Sequence, residues 1–208
     1  MQTNNFEKAY DQAFELARQQ LLGRDVVACC ESAGSVLIEK SRGSATLELQ
    51  YLNTSVRLVL PACSCITADR AELHTWDKIL LLHYLTRAQS ESTTAREISF
   101  KELKTASLYY QSFEGRCLIP LMKTFGSQPE QLVENAQALG GQALQAGDAG
   151  VRLQVLPKVS VSCIIWKSDD EFPASASILF DSTIEQYLFA EDIVVLCQRM
   201  VLKLLKKW

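Results

Sequence analysis

Residues 156–196 read LPKVSVSCIIWKSDDEFPASASILFDSTIEQYLFAEDIVVL. Within them Val159, Val161, Cys163 and Ile165 fall on one side of an extended chain, and Ser160, Ser162, Ile164 and Trp166 on the other. Period-two alternation with β-branched residues marks a strand. Ala174, Ala176, Ile178 and Phe180 repeat the pattern against Ser175, Ser177, Leu179 and Asp181. The connector Lys167 to Pro173 is too long for a two-residue turn, so a looped or bulged hairpin is expected. Pro173 has no N–H to donate and suits the first position of the second strand. Ser182-Thr183-Ile184-Glu185 then has the spacing of a capping box. The stretch predicts a β-hairpin feeding a helix.

On its C-terminal side a last helix is expected from about Glu191 to Lys207, burying Ile193, Cys197, Met200, Val201 and Leu204. Its acidic start and basic end both suit the helix dipole. On its N-terminal side Val151, Leu153 and Val155 open the same sheet segment. Gln142 to Gly150 is the best candidate linker, but it is short and does not separate two convincing cores. Before it, two helical pieces are expected at Arg116 to Phe125 and Pro129 to Leu139. Ser99 and Glu102 make a capping box, with Ile98 and Leu103 placed as a hydrophobic staple.

The helix His74 to Arg87 is apolar on most of its surface, which predicts a central, buried position. In the N-terminal third, residues 5–22 repeat Phe6, Tyr10, Ala13, Phe14, Ala17 and Leu21 at helical spacing, with Gly23 as a stop. A second helix is expected from Asp25 to Ala33, ended by Gly34. Ala45 to Tyr51 and Val56 to Leu60 alternate as strands around Asn53-Thr54, and Val36 to Glu39 adds an edge strand. Strands and helices in this order point to one α+β domain, 1–208, with a mainly antiparallel sheet of about five strands packed on several helices.

The chain has 208 residues, 48% of them hydrophobic and 22% charged, which is ordinary for a globular protein with a real core. A net charge of -3 gives no basic balance for a nucleic-acid partner. Apolar runs such as Ile79 to Leu82 are far too short to cross a bilayer. MQTNNFEKAYDQ lacks the apolar core of a signal peptide, so a cytoplasmic protein is expected. The seven cysteines form no paired CxxC framework. Cys29-Cys30 and Cys63-Ser64-Cys65 are the only close pairs, and buried, inert thiols are the simpler reading than a metal site.

Chemistry-bearing residues concentrate at the hairpin. Trp166 and Phe172 bracket Asp169, Asp170 and Glu171, with Asp181 and the pair Glu191 and Asp192 further on. Aromatic surface beside carboxylates suits a ligand pocket, to which Arg116 could add an anion contact. Clustered carboxylates could also hold a hard cation, but their spacing matches no calcium loop. Solvated turn residues and helix starts are the plainer account of them. His74 and His83 do not share a helix face, and His83 within ILLLHYL reads as a core histidine. No nucleophile motif is found, and Gly140-Gly141 lacks the lysine of a phosphate loop, so no cofactor is expected.

Six segments in order resemble an uncharacterised bacterial and archaeal family, domain of unknown function 3786. They are WDKILLLHYL, ISFKEL, FEGRCLIPLMKTFG, LGG, LPKVSVSCIIWKSDDEFPASASILFD and YLFAEDIVVL. The resemblance covers residues 74–196 well and 1–73 loosely. It implies no activity. It implies at most an anaerobic redox or corrinoid setting, through relatives with an added iron–sulfur domain whose cysteine motif this chain lacks. Ser168 stands where the family pattern has a glycine. The expectation is a binding or accessory protein for an unknown small molecule or protein partner, with its site at 166–181. The alternative is a metal-assisted enzyme using the same carboxylates on a small polar substrate.

Overall fold

The computed structural model describes residues 3–89 and 94–206, with side chains from Glu7 onward. The Phe6 side chain and Lys207 lie outside them. The class is α+β with antiparallel sheets. The strands do not form one sheet of about five, because those of the N-terminal third pair among themselves. Two sheets result, of four and five strands. The chain forms two compact units, Met1–Glu91 with Gln186–Phe189, and Ser92–Glu185 with Ala190–Trp208.

In the first unit, helices α1 (Thr3–Leu22) and α2 (Val26–Ala33) precede the antiparallel meander β1 (Val36–Ser41), β2 (Ser44–Tyr51), β3 (Thr54–Leu60) and β4 (Ser64–Thr67). Helix α3 (Thr75–Arg87) follows and packs on α1. Each boundary has a local cause. The Asp25 carboxylate accepts from the Val27 N–H at 2.9 Å and caps α2, and Gly34 at φ 65° ends it. The β2–β3 turn is Leu52–Asn53, one residue earlier than the pattern suggests, with φ 48° and 65°. Two left-handed residues are what a type I′ hairpin needs. Alternate residues Leu47, Leu49, Tyr51, Val56, Leu58 and Leu60 are buried, and the Tyr51 hydroxyl donates to Asp77 Oδ1 on α3 at 2.7 Å. As expected, α3 buries Ile79, Leu80, Leu81, Leu82, Tyr84 and Leu85.

The second unit holds the sheet β5-β9-β8-β7-β6. Its strands are β5 (Glu97–Ser99), β6 (Gln142–Leu144), β7 (Ala149–Leu156), β8 (Val159–Trp166) and β9 (Ser175–Asp181). Its helices are α4 (Ala106–Phe113), α5 (Ile119–Phe125), α6 (Glu130–Ala138) and α8 (Ala190–Leu204). A short α7 (Ile184–Tyr187) bridges the end of this unit's strand run and the return to the first unit. The β8–β9 hairpin is where the alternation puts it, with Trp166 opposite Ser175 as the last pair before the turn.

Three local expectations fail for physical reasons. The Ser99–Glu102 capping box exists, but it opens only a 3-10 turn at Phe100–Glu102, and α4 begins at Ala106. Gln142 to Gly150 is no linker: it is the β6–β7 hairpin, turned through Gly147 at φ 62°. A Cβ there would lie 2.6 Å from both Ile164 Cγ2 and Ile165 O, so only glycine fits. The Ser182 N–H donates to Arg96 O at 2.8 Å and so closes no capping box, while the Asp181 carboxylate at the end of β9 accepts from Thr183 N–H at 3.0 Å, just before α7 begins at Ile184. Glu185, the proposed far side of a box, instead accepts from Lys104 N–H at 3.1 Å. Among the described residues no helix is long and apolar enough to cross a membrane.

Candidate functional site

The hairpin tip is built by its own backbone. Asp169 Oδ1 accepts from the N–H groups of Glu171 (2.9 Å) and Phe172 (2.7 Å), while the Asp169 N–H donates to Phe172 O. Asp148 Oδ2 accepts from Lys167 N–H at 2.7 Å. These are the bonds of an Asx turn, so Asp169 is committed to the loop's shape. Asp170 and Glu171 point into solvent, and Trp166 (40% exposed) and Phe172 (66%) stay open beside them.

The other sequence-derived site residues lie elsewhere. Asp181 ends β9, roughly 20 Å of extended chain from the turn at about 3.3 Å per residue. Its carboxylate accepts from Thr94 N–H and Oγ1, Ala95 N–H, and Thr183 N–H and Oγ1. Burial pushes its pKa up, but the bonds from Thr183 and Thr94 outweigh that and hold it below the usual carboxylate range. Arg116 is exposed on a π-helical turn, Glu114–Leu118. Phe113, just before that turn, meets Phe180 at the far end of β9, whereas Gly126 at the end of α5 closes on Ala174 beside the hairpin turn. Arg116 therefore belongs to the Phe180 end. These groups thus stand at the hairpin tip and towards the Phe180 end of β9, and among the described residues no group of three or more His, Cys, Asp or Glu is placed to hold a metal ion.

A concave site does exist, in the first unit. The cleft encloses about 540 Å³ and is lined by Gln20 and Arg24 from the end of α1, by His83, Thr86, Arg87 and Gln89 from the end of α3, and by Gln186 and Phe189. That volume suits a small molecule. His83 and Arg87 are one helical turn apart on α3, so they project side by side. Phe189 forms the opposite wall: the His83 ring meets it edge-on at 5.3 Å, and the Arg87 guanidinium lies 3.8 Å from its centroid. The negative face of an aromatic ring attracts such a cation and fixes its position. Thr86 Oγ1 donates to Leu82 O at 2.7 Å, so its hydroxyl proton is already used. His83 is therefore not the core histidine that its apolar neighbours suggest. It is half-buried and faces a cleft.

A family model matches residues 26–203. The chain belongs to the Domain of unknown function (DUF3786) family. No curated protein and no solved structure matches it. The DUF3786 match extends well beyond residues 74–196 and takes in the whole four-stranded sheet. His83, Arg87, Gln186 and Phe189 fall inside it, while Gln20 and Arg24 precede it.

The thiols of this DUF3786 chain lie away from solvent. All seven cysteines are free and buried. Burial pushes the Cys63 thiol up to about 11 and those of Cys65 and Cys117 up to about 12. Cys163 and Cys197 are raised too, by burial first and by neighbouring thiols second. Cys29 and Cys30 are raised mainly by burial as well. Thiols so protonated are poor nucleophiles and poor metal ligands.

Proposed function

We propose that this chain is a binding protein whose cleft between the ends of α1 and α3 takes a small anionic molecule with a flat portion. The observation that carries the reading is the convergence of Arg24, His83 and Arg87 with Phe189 in one concave site, where none of the described lining residues is acidic. Guanidinium groups and the amides of Gln20, Gln89 and Gln186 supply donors suited to phosphate or carboxylate oxygens. Phe189 supplies a flat wall, positioned by Arg87. None of the described lining residues is a cysteine or a serine, which favours recognition over covalent chemistry. A redox or corrinoid setting draws on no residue of the cleft.

Titration calorimetry with phenyl phosphate tests this reading. The wild-type chain binds it, and Arg24→Gln and Arg87→Gln each weaken binding by about tenfold or more, since a charge-assisted hydrogen bond contributes roughly 1.5–3 kcal/mol. Absence of binding at millimolar ligand, or wild-type affinity in both variants, overturns it.

A second reading keeps a protein partner at the hairpin tip. It is supported by the Asx turn at Asp169, which holds Trp166 and Phe172 exposed on a preformed loop beside Asp170 and Glu171. A preformed loop lowers the ordering cost of binding.

A further inference from the structure

Arg24 lines a second hollow as well as the first. This hollow, about 280 Å³, lies between the start of α2 and the β1–β2 hairpin, still within the first unit. Its apolar surface comes from Leu22, Val26, Ala45 and Leu60. Ala45 and Leu60 are buried at its base, whereas Leu22 is 39% exposed at its mouth. The polar groups around it are the Asp25 carboxylate, the Ser41 and Ser44 hydroxyls, and the cationic side chains of Lys40 and Arg24. The Asp25 carboxylate caps α2, and the Ser41 and Ser44 hydroxyls bond each other at 2.7 Å. The hollow therefore offers contact area to an apolar group over Leu22, Val26, Ala45 and Leu60, with Lys40 also in its lining.

We infer that the ligand is an elongated amphipathic anion, with its head between Arg24, His83 and Arg87 and an unbranched alkyl arm passing Arg24 into the hollow over Leu22, Val26, Ala45 and Leu60. The inference rests on the cleft being an anion site and adds the class of molecule. Arg24 stands in both linings, so one guanidinium can hold the head while its own methylene stem flanks the arm. Charge complementarity selects the head, and the apolar base of the hollow selects an alkyl arm. The occupant is a single soluble molecule rather than a membrane surface, because the head site is a recessed cleft.

The test is a series of alkyl phosphates, from inorganic phosphate through butyl and hexyl to octyl phosphate, titrated below their micelle concentrations. The wild-type chain binds more tightly with each step, by about fourfold for every methylene buried. The variant with Leu22→Gln and Val26→Gln replaces two accessible lining positions and binds inorganic phosphate as the wild type does, with the chain-length dependence flattened. If short phosphates bind and depend on Arg87 but length has no effect, the arm is overturned and the anion cleft stands. A length effect that persists in the double variant places the arm elsewhere and also overturns the inference. Binding by no phosphate of any length removes the anion cleft and the arm together. Arg24-dependent pelleting with anionic phospholipid vesicles, without binding of octyl phosphate, shows a membrane ligand instead and overturns it.

Discussion

The Arg87 guanidinium lies 3.8 Å from the centroid of the Phe189 ring, closing one wall of the cleft with a cation held on an aromatic face. The ring joins that wall to His83, which meets it edge-on. Removing the ring therefore takes away the flat contact and frees the guanidinium at once. Phe189→Ala is expected to weaken phenyl phosphate several-fold while inorganic phosphate, which has no flat portion, changes little. Competition between the two anions measures this, and equal losses for both would show that Phe189 acts only by positioning charge.

At the end of β9, Asp181 accepts bonds from Thr94, Ala95 and Thr183. Asp181→Ala leaves those donors to water, and because the site is partly open the expected loss is about 1 kcal/mol. The pH dependence follows from the lowered pKa. A carboxylate more acidic in the fold than in the unfolded chain stabilises the fold above its unfolded value and loses that effect as pH falls through its folded value. Denaturation midpoints of wild type and Asp181→Asn should thus converge on acidification below pH of about 4, where an ordinary aspartate is protonated. A gap that widens instead would contradict the assignment.

The buried thiols predict silence toward thiol reagents. At pH 8 the folded chain should react slowly with a disulfide reagent, and all seven cysteines should react once denaturant unfolds it. Cys63, Cys65 and Cys117, pushed up to about 11–12, hold almost no thiolate at that pH. A thiol labelled within seconds in the folded chain would reveal an opening that the structure does not contain.

Glu171 reaches solvent at the hairpin tip, and only its backbone N–H enters the turn. Glu171→Gln should change stability by less than about 1 kcal/mol, as exposed substitutions usually do. Thermal unfolding at neutral pH decides the matter, and a large drop in midpoint would mean that the carboxylate ties the hairpin to its neighbours.

How far the sequence can be read is clear from particular residues. Val159, Val161, Cys163 and Ile165 alternate, and all are buried in β8. The Asp25 and Gly34 boundaries of α2 are equally legible, because one side chain or one φ angle decides each. The Ser182–Glu185 spacing misleads because the Ser182 N–H is taken by Arg96 O and the Glu185 carboxylate accepts from Lys104 N–H, both partners distant in sequence. The split into two sheets depends on which strands pair, and alternation is silent on partners. The cleft is hidden for the same reason: Arg24, His83 and Phe189 come from segments that only the fold brings together. One local sign was present, the polar pair His83 and Arg87 interrupting an apolar helix at a spacing of one turn.

The most direct test of the anion cleft is amide chemical-shift mapping of the labelled chain during addition of phenyl phosphate. The structure predicts saturable shifts confined to the ends of α1 and α3 and to Gln186–Phe189, around Arg24, His83 and Arg87. Shifts centred on Trp166 to Phe172, or none at saturating ligand, would contradict it.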